Sequence, residues 1–109
     1  PEASSEPETL TVIDAINTYH PVLVVQMHQP FGALYPDKNT PAGLINKMTE
    51  ISGFPVLEDI GYSTPGSLGN YLGEHRNKIM CITYELGPVD REPDYDKITG
   101  SLIEAINFP

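Results

Sequence analysis

Apolar positions fall into short periodic groups separated by turn-forming residues, and the groups alternate in type. Leu10, Val12, Ile13, Ile16 and Tyr19 recur at helical spacing. Ser5-Glu6-Pro7-Glu8 precedes them as a capping box, with Ser5 as N-cap, Glu8 at N3 and proline in the first turn. His20-Pro21 stops this helix. Val22-Leu23-Val24-Val25 then runs without polar alternation, the pattern of a central strand covered on both faces. Gln29 to Thr40 reads as loop, rich in proline, glycine, Asp37 and Asn39. Thr40-Pro41 opens a second helix with Leu44, Ile45, Met48 and Ile51 on one face, and Ser52-Gly53 ends it. Pro55-Val56-Leu57 is a short extended piece, and Gly61 to Gly66 is a turn-rich loop. Ser67 to His75 is a short helix weakened by Gly69 and Gly73. Lys78 to Tyr84 is a second buried strand. Asp94 caps a last helix with Tyr95, Ile98, Leu102 and Ile106 inward.

The order helix, strand, helix, helix, strand, helix predicts an α/β sandwich. Two strands make a poor sheet, because strands buried on both faces need neighbours for their backbone groups. The pattern therefore predicts either partner strands from a segment outside this chain or an exposed edge open to self-association. Residues 1–4 read as a linker and 5–109 as the structured part.

Composition narrows the function class. The net charge is −9 over 109 residues, which disfavours nucleic acid and anionic membrane surfaces as partners. No apolar run approaches the ~20 residues of a membrane span. Cys81 is the sole cysteine, so no internal disulfide forms, and its place in Ile79-Met80-Cys81-Ile82 predicts a buried, inert thiol. One cysteine leaves the compartment open, since a periplasmic or secreted protein without disulfides is ordinary.

Two apolar strands each end on a polar, chemically competent side chain. The first delivers His28 and the second Glu85. Ligands in open α/β sheets bind beyond the carboxyl ends of strands. His28 there is either a metal ligand or proton carrier, or a strand-end histidine bonded to backbone. Glu85 is either a member of a structural ion pair or a proton shuttle serving a metal-bound water. Tyr62, in the glycine-rich loop, is either a packing residue or a phenol that donates to a substrate carbonyl or carboxylate. His20 and His75 read as helix-end residues. HExxH, CxxC, P-loop and GxSxG motifs are absent.

Taken together, Ser5-Glu6-Pro7-Glu8 before a helix, a strand ending in His28, Tyr62 in a loop, Gly66-Ser67-Leu68-Gly69 and Tyr84-Glu85-Leu86 resemble the C-terminal half of M14-type zinc carboxypeptidases. The run Gly61 to Gly69 is most similar to the bacterial branch of γ-D-glutamyl-diaminopimelate amidases, which trim murein peptides. The resemblance covers about Ser5 to Pro109. It implies the C-terminal part of a mixed-sheet α/β/α sandwich whose N-terminal half lies outside this chain. It implies a zinc cofactor with His28 as one of three protein ligands, Glu85 as general base and then acid, and Tyr62 as a mobile substrate contact. Leu68 and Gly69 match the segment lining the side-chain pocket, and Gly69 stands where some members carry a charge-selecting acid. A short cell-wall peptide is the implied substrate. The family's His-x-x-Glu pair is missing, and Arg76 and Arg91 fall in unmatched segments, so the chain alone is expected neither to bind zinc tightly nor to turn over peptide. The other function class in play is a binding or scaffold domain that kept the fold and lost the metal. The resemblance also implies a cis Gln29–Pro30 bond.

Overall fold

In the computed structural model, which describes residues 2–75 and 79–108, the chain forms helix α1 (Pro7–Tyr19), strands β1 (Leu23–His28) and β2 (Ala33–Pro36), helices α2 (Ala42–Ser52) and α3 (Leu68–His75), strand β3 (Met80–Glu85) and helix α4 (Tyr95–Asn107). Lys78 and Arg76, and the side chain of His75, lie outside the described residues. The sheet is mixed, in the order β1-β3-β2. β1 runs parallel to β3, pairing Val24 with Cys81, Gln26 with Thr83 and His28 with Glu85. β2 runs antiparallel to β3, pairing Ala33 with Glu85 and Leu34 with Tyr84.

The two faces of the sheet are covered differently. On one face, Leu34, Ile82 and Tyr84 pack with Leu44, Ile45 and Met48 of α2 and with Ile98 and Ala105 of α4. On the other face, Cys81 and the partly buried Val24 pack with Ile16 of α1 and Leu72 of α3. Alternation along a strand sends every second side chain to each face. Val24, Gln26 and His28 therefore share the second face with Cys81, Thr83 and Glu85. Hydrophobic contacts cover only its first rung, and the next two are polar.

Several sequence expectations are corrected. The first strand is an edge strand and the second is central, because β2 fills the side on which a loop was expected. β2 is short, ends on Pro36 and lies within a run rich in turn residues, which hides it from pattern reading. Its outer side takes the extended piece at Val56, with Leu34 N–H donating to the Pro55 carbonyl and Leu57 N–H to the Leu34 carbonyl. β3 begins at Met80 and reaches Glu85. The Ser5–Glu8 capping box does not form. Glu6 is the N-cap, with ψ 134° and no side-chain cap bond. The residue before a proline is pushed toward extended backbone, so the helix starts at Pro7 itself. On α1 only Ile16 is buried, while Leu10, Val12 and Tyr19 are exposed. α2 begins at Ala42, one residue after its N-cap Pro41.

On α4, Ile98 and Leu102 face inward as expected, but Tyr95 and Ile106 are exposed. The inward stripe is centred on small residues instead. Ser101 and Ala105 are buried, and a Cβ at Gly100 would lie 3.1 Å from Ile51 Cγ2 of α2. The approach of the two helices thus depends on what α4 lacks. The Asp94 cap forms as expected, its carboxylate accepting from Lys97 N–H at 3.1 Å.

One polar pair sits inside this core. The Tyr84 and Ser101 hydroxyls lie 2.7 Å apart, both fully buried, and Ser101 also reaches the Ile98 carbonyl at 2.8 Å. Phe54 packs edge-on against the Tyr84 ring at 5.8 Å. Ser101→Ala strands the tyrosine hydroxyl in apolar surroundings and is expected to cost about 1–3 kcal/mol, whereas Tyr84→Phe leaves Ser101 bonded to Ile98 and costs about 1. Urea unfolding followed by circular dichroism reads the order, and a larger loss for Tyr84→Phe contradicts this account.

Cys81 is buried, as the sequence predicts. Burial and then the negative charge of Asp37 push its thiol from the ordinary 9.0 up to about 11. The folded thiol keeps its proton over a range in which the unfolded thiol has lost it. The resulting stabilisation is full below about pH 9 and is lost as pH rises toward 11. Cys81→Ser is expected to flatten the fall of stability across that window. In the native protein at pH 8 the thiol is expected to react with a disulfide reagent only at the rate of unfolding, so labelling as fast as in urea would contradict its burial.

Candidate active site

Parallel pairing makes β1 and β3 end at the same edge of the sheet, and their register makes them end together. His28 and Glu85 are direct cross-strand neighbours, on strands about 4.8 Å apart. Neighbours in register point to the same face. The ends are tied by backbone as well: Leu86 N–H donates to the His28 carbonyl at 2.7 Å, and Gly32 N–H to the Leu86 carbonyl at 3.0 Å. The Gln29–Pro30 bond that follows His28 is cis, as expected.

The two side chains sit in different environments. His28 is exposed. Glu85 is only 5% exposed, and its Oε2 is buried with no hydrogen-bond partner among the described residues. Its other sheet neighbour is the buried Ala33. A buried carboxylate oxygen without a donor is costly in a core. Where the same residue also borders a cavity, its carboxylate can accept from a proton-bearing group there.

Such a cavity is present, with a volume of about 750 Å³. His28, Tyr62, Leu68, Gly69 and Glu85 all line it, so the five site residues expected from sequence converge on one space. Tyr62 comes from a loop secured near both ends. Gly61, at φ +84°, donates its N–H to Asp59 Oδ1 at 2.7 Å, and Asn70 Nδ2 donates to the Thr64 carbonyl at 2.9 Å. Between these anchors the Tyr62 ring is 60% exposed, free to meet a ligand. Ser67 Oγ accepts from Asn70 N–H at 3.2 Å and so caps α3, which begins one residue later than the sequence suggests.

Sequence reading missed part of this cavity. Gln26, Thr83 and Asp37 also line it. Gln26 and Thr83 stand two residues before His28 and Glu85, and the period-2 alternation of strands was the signal that could have found them. Asp37 follows β2, an element the pattern did not reveal. A second cavity, of about 600 Å³, lies beyond the strand ends and shares His28; Arg91, Glu92 and Tyr95 line it. Repulsion from Glu92 and a hydrogen bond to it raise the Tyr95 phenol pKa. His20 is a helix-end residue, capping α1 in the left-handed region at φ 47°. Among the described residues, no three His, Cys, Asp or Glu side chains are grouped to hold a metal ion, and no helix is long and apolar enough to cross a membrane.

No family model matches the chain. Murein peptide amidase A of Vibrio campbellii is 30% identical over 92 residues, spanning 84% of this chain and 36% of that protein. Murein peptide amidase A of Escherichia coli K12 is 28% identical over 93 residues, spanning 85% of this chain and 37% of that protein. The crystal structure of murein-tripeptide amidase MpaA from Escherichia coli O157 aligns with a TM-score of 0.71 at 26% identity, covering 94% of this chain and 40% of that one. The chain thus spans well under half the length of the proteins it matches. Across that span, nearly the whole of its own length, the chain is a homologue of the murein peptide amidases and shares their fold.

Proposed function

We propose that this chain supplies the general base and one metal ligand of a zinc-dependent amidase that cleaves short cell-wall peptides. The observation that carries the reading is the pairing of His28 with Glu85 at one sheet edge, where Glu85 Oε2 is buried and unbonded. The names of the relatives supply the substrate class.

The donor set fits zinc in part. His28 offers an exposed imidazole, a good ligand for that ion, at the mouth of a cavity that also holds an unbonded carboxylate. A catalytic zinc takes three protein ligands and a water, and the described side chains offer no such trio. The remaining ligands are therefore proposed to lie in polypeptide outside this chain, so that residues 5–109 form the C-terminal part of a longer catalytic domain. The coverage of the relatives, the open edge of β1 and the exposed apolar residues of α1 support that reading.

Zinc, when bound, polarises the scissile carbonyl and makes water acidic. The rest falls to this chain's residues. Glu85 accepts the proton of the attacking water on its carboxylate and returns it to the departing amine. Burial keeps bulk water from competing for that proton. Tyr62, on its anchored loop, donates to the substrate's carbonyl or terminal carboxylate. Leu68 and Gly69 border the space for the side chain.

In the intact protein, Glu85→Gln is expected to lower kcat by about 10²–10⁴ while peptide binding is retained; near-normal turnover rules Glu85 out as the base. Peptide binding by the wild-type protein without turnover, in the presence of zinc, would favour the scaffold reading instead. Calorimetry of the chain alone is expected to show zinc binding weaker than about 1 µM, as one imidazole cannot make a tight site. Tighter binding would contradict the proposal that the other ligands lie elsewhere.

A further inference from the structure

Of the five site residues, Tyr62 alone is held by neither strand nor helix. His28 and Glu85 stand on paired strands, and Leu68 and Gly69 stand on α3. Tyr62 stands on the loop before α3, where the backbone passes through two left-handed glycines, Gly61 at φ +84° and Gly66 at φ +76°. The phenol is exposed. A group placed this way serves a ligand well only if the ordering of its loop is already in place before binding.

Asn70 supplies that ordering. Its Nδ2 donates to the Thr64 carbonyl at 2.9 Å, six residues back along the chain. A carbonyl oxygen only accepts, so this contact fixes which end of the amide faces the loop. The same carbonyl accepts from Ser67 N–H at 3.2 Å. Thr64-Pro65-Gly66-Ser67 is thus a type II turn, with proline second and the left-handed glycine third. Asn70 ties this turn to α3.

The tie reaches back to the core. Asn70 lies in the first turn of α3, and its own N–H donates to Ser67 Oγ. One turn of backbone further on, Leu72 is fully buried with Cys81 and Ile16. A continuous path therefore runs from the sheet through Leu72 and Asn70 to the Thr64 carbonyl, two residues after Tyr62. On the other side, Gly61 N–H is held by Asp59 Oδ1 at 2.7 Å. Only Tyr62 and Ser63 remain between the two ties, a short arm that carries the ring.

We propose that Asn70 is a positioning residue for the Tyr62 phenol. This inference rests on the amidase reading of the cavity and adds to it the residue that sets where the phenol stands. Without the tie, the loop spends time in arrangements that carry the phenol away, and the competent fraction falls. One neutral hydrogen bond shifts such an equilibrium by about threefold to tenfold. The loss cannot exceed that of removing the phenolic hydroxyl itself.

The test compares wild type, Asn70→Ala, Tyr62→Phe and the double variant of the intact zinc-loaded protein on a murein tripeptide. Asn70→Ala is expected to lower kcat/KM by about threefold to tenfold when Tyr62 is present. In the Tyr62→Phe background it is expected to lower it by less than about twofold. The loss falls on whichever constant, KM or kcat, Tyr62→Phe changes. Asn70→Asp suits the positive end of the α3 dipole, yet its oxygens have no proton to give Thr64. It is expected to behave as Asn70→Ala does, which separates the tie from support of the helix. Wild-type kinetics in either Asn70 variant, or equal losses in both backgrounds, would overturn the proposal.

Chymotryptic cleavage after Tyr62 reads the tie without turnover. Asn70→Ala is expected to speed it by about threefold to tenfold, because cleavage follows the population of the opened loop. If wild type cleaves no peptide, the amidase reading falls, and Asn70 stands as the residue that holds the Tyr62 loop only if this increase is seen. An unchanged cleavage rate removes the proposal on its own.

Discussion

The parallel pairing of β1 with β3 is the constraint on which the rest of this structure depends. Antiparallel strands would send their carboxyl ends to opposite edges, and a slip of one residue would turn His28 to the other face from Glu85. In the observed register both strands run out at the same edge, and each rung adds a matched pair: Val24 with Cys81, Gln26 with Thr83, His28 with Glu85. The sequence of pairs is a gradient from apolar to polar to reactive. Hydrophobic packing at the first rung fixes the register, and the register then places the last rung. The chemistry is positioned by a core contact about 13 Å away along the strand.

The unequal covering of the two sheet faces follows from the same gradient. The α2–α4 face is closed, with apolar side chains from three strands and two helices. On the other face α1 and α3 meet the sheet only around Val24 and Cys81, so the polar rungs remain uncovered and form the cavity. That opening has a thermodynamic cost in lost burial, and it exposes His28 on the edge strand, while Glu85 on the central strand is flanked on both sides and stays buried. The missing side chain at Gly69 helps keep the space from filling.

Much of this was legible in the residues. The helices, the two strands in the parallel pair and the end positions of His28 and Glu85 follow from periodicity and from capping chemistry at Asp94 and Gly53. What was not legible came from effects that periodicity does not encode. β2 is four residues long and carries proline, so its identity depends on pairing with β3 rather than on local preference. The inward face of α4 is centred on Ser101 and Ala105, because close helix packing rewards small side chains that a search for large ones passes over. α1 shows the reverse error, since its apolar residues exceed what the described residues cover. In the site, the single-residue features His28, Glu85 and Tyr62 could be picked out as chemistry. Gln26 and Thr83 looked like ordinary strand residues until alternation and register placed them side by side.

The claim at the centre of this account is that one ligand and the base of a metal site stand together at this sheet edge. Crystals of the intact protein grown with zinc, measured on both sides of the zinc absorption edge, test it most directly. The account predicts an anomalous peak within bonding distance of a His28 ring nitrogen, with the Glu85 carboxylate facing it across a water-sized gap. A zinc peak away from His28, with the β1–β3 register intact, would contradict it.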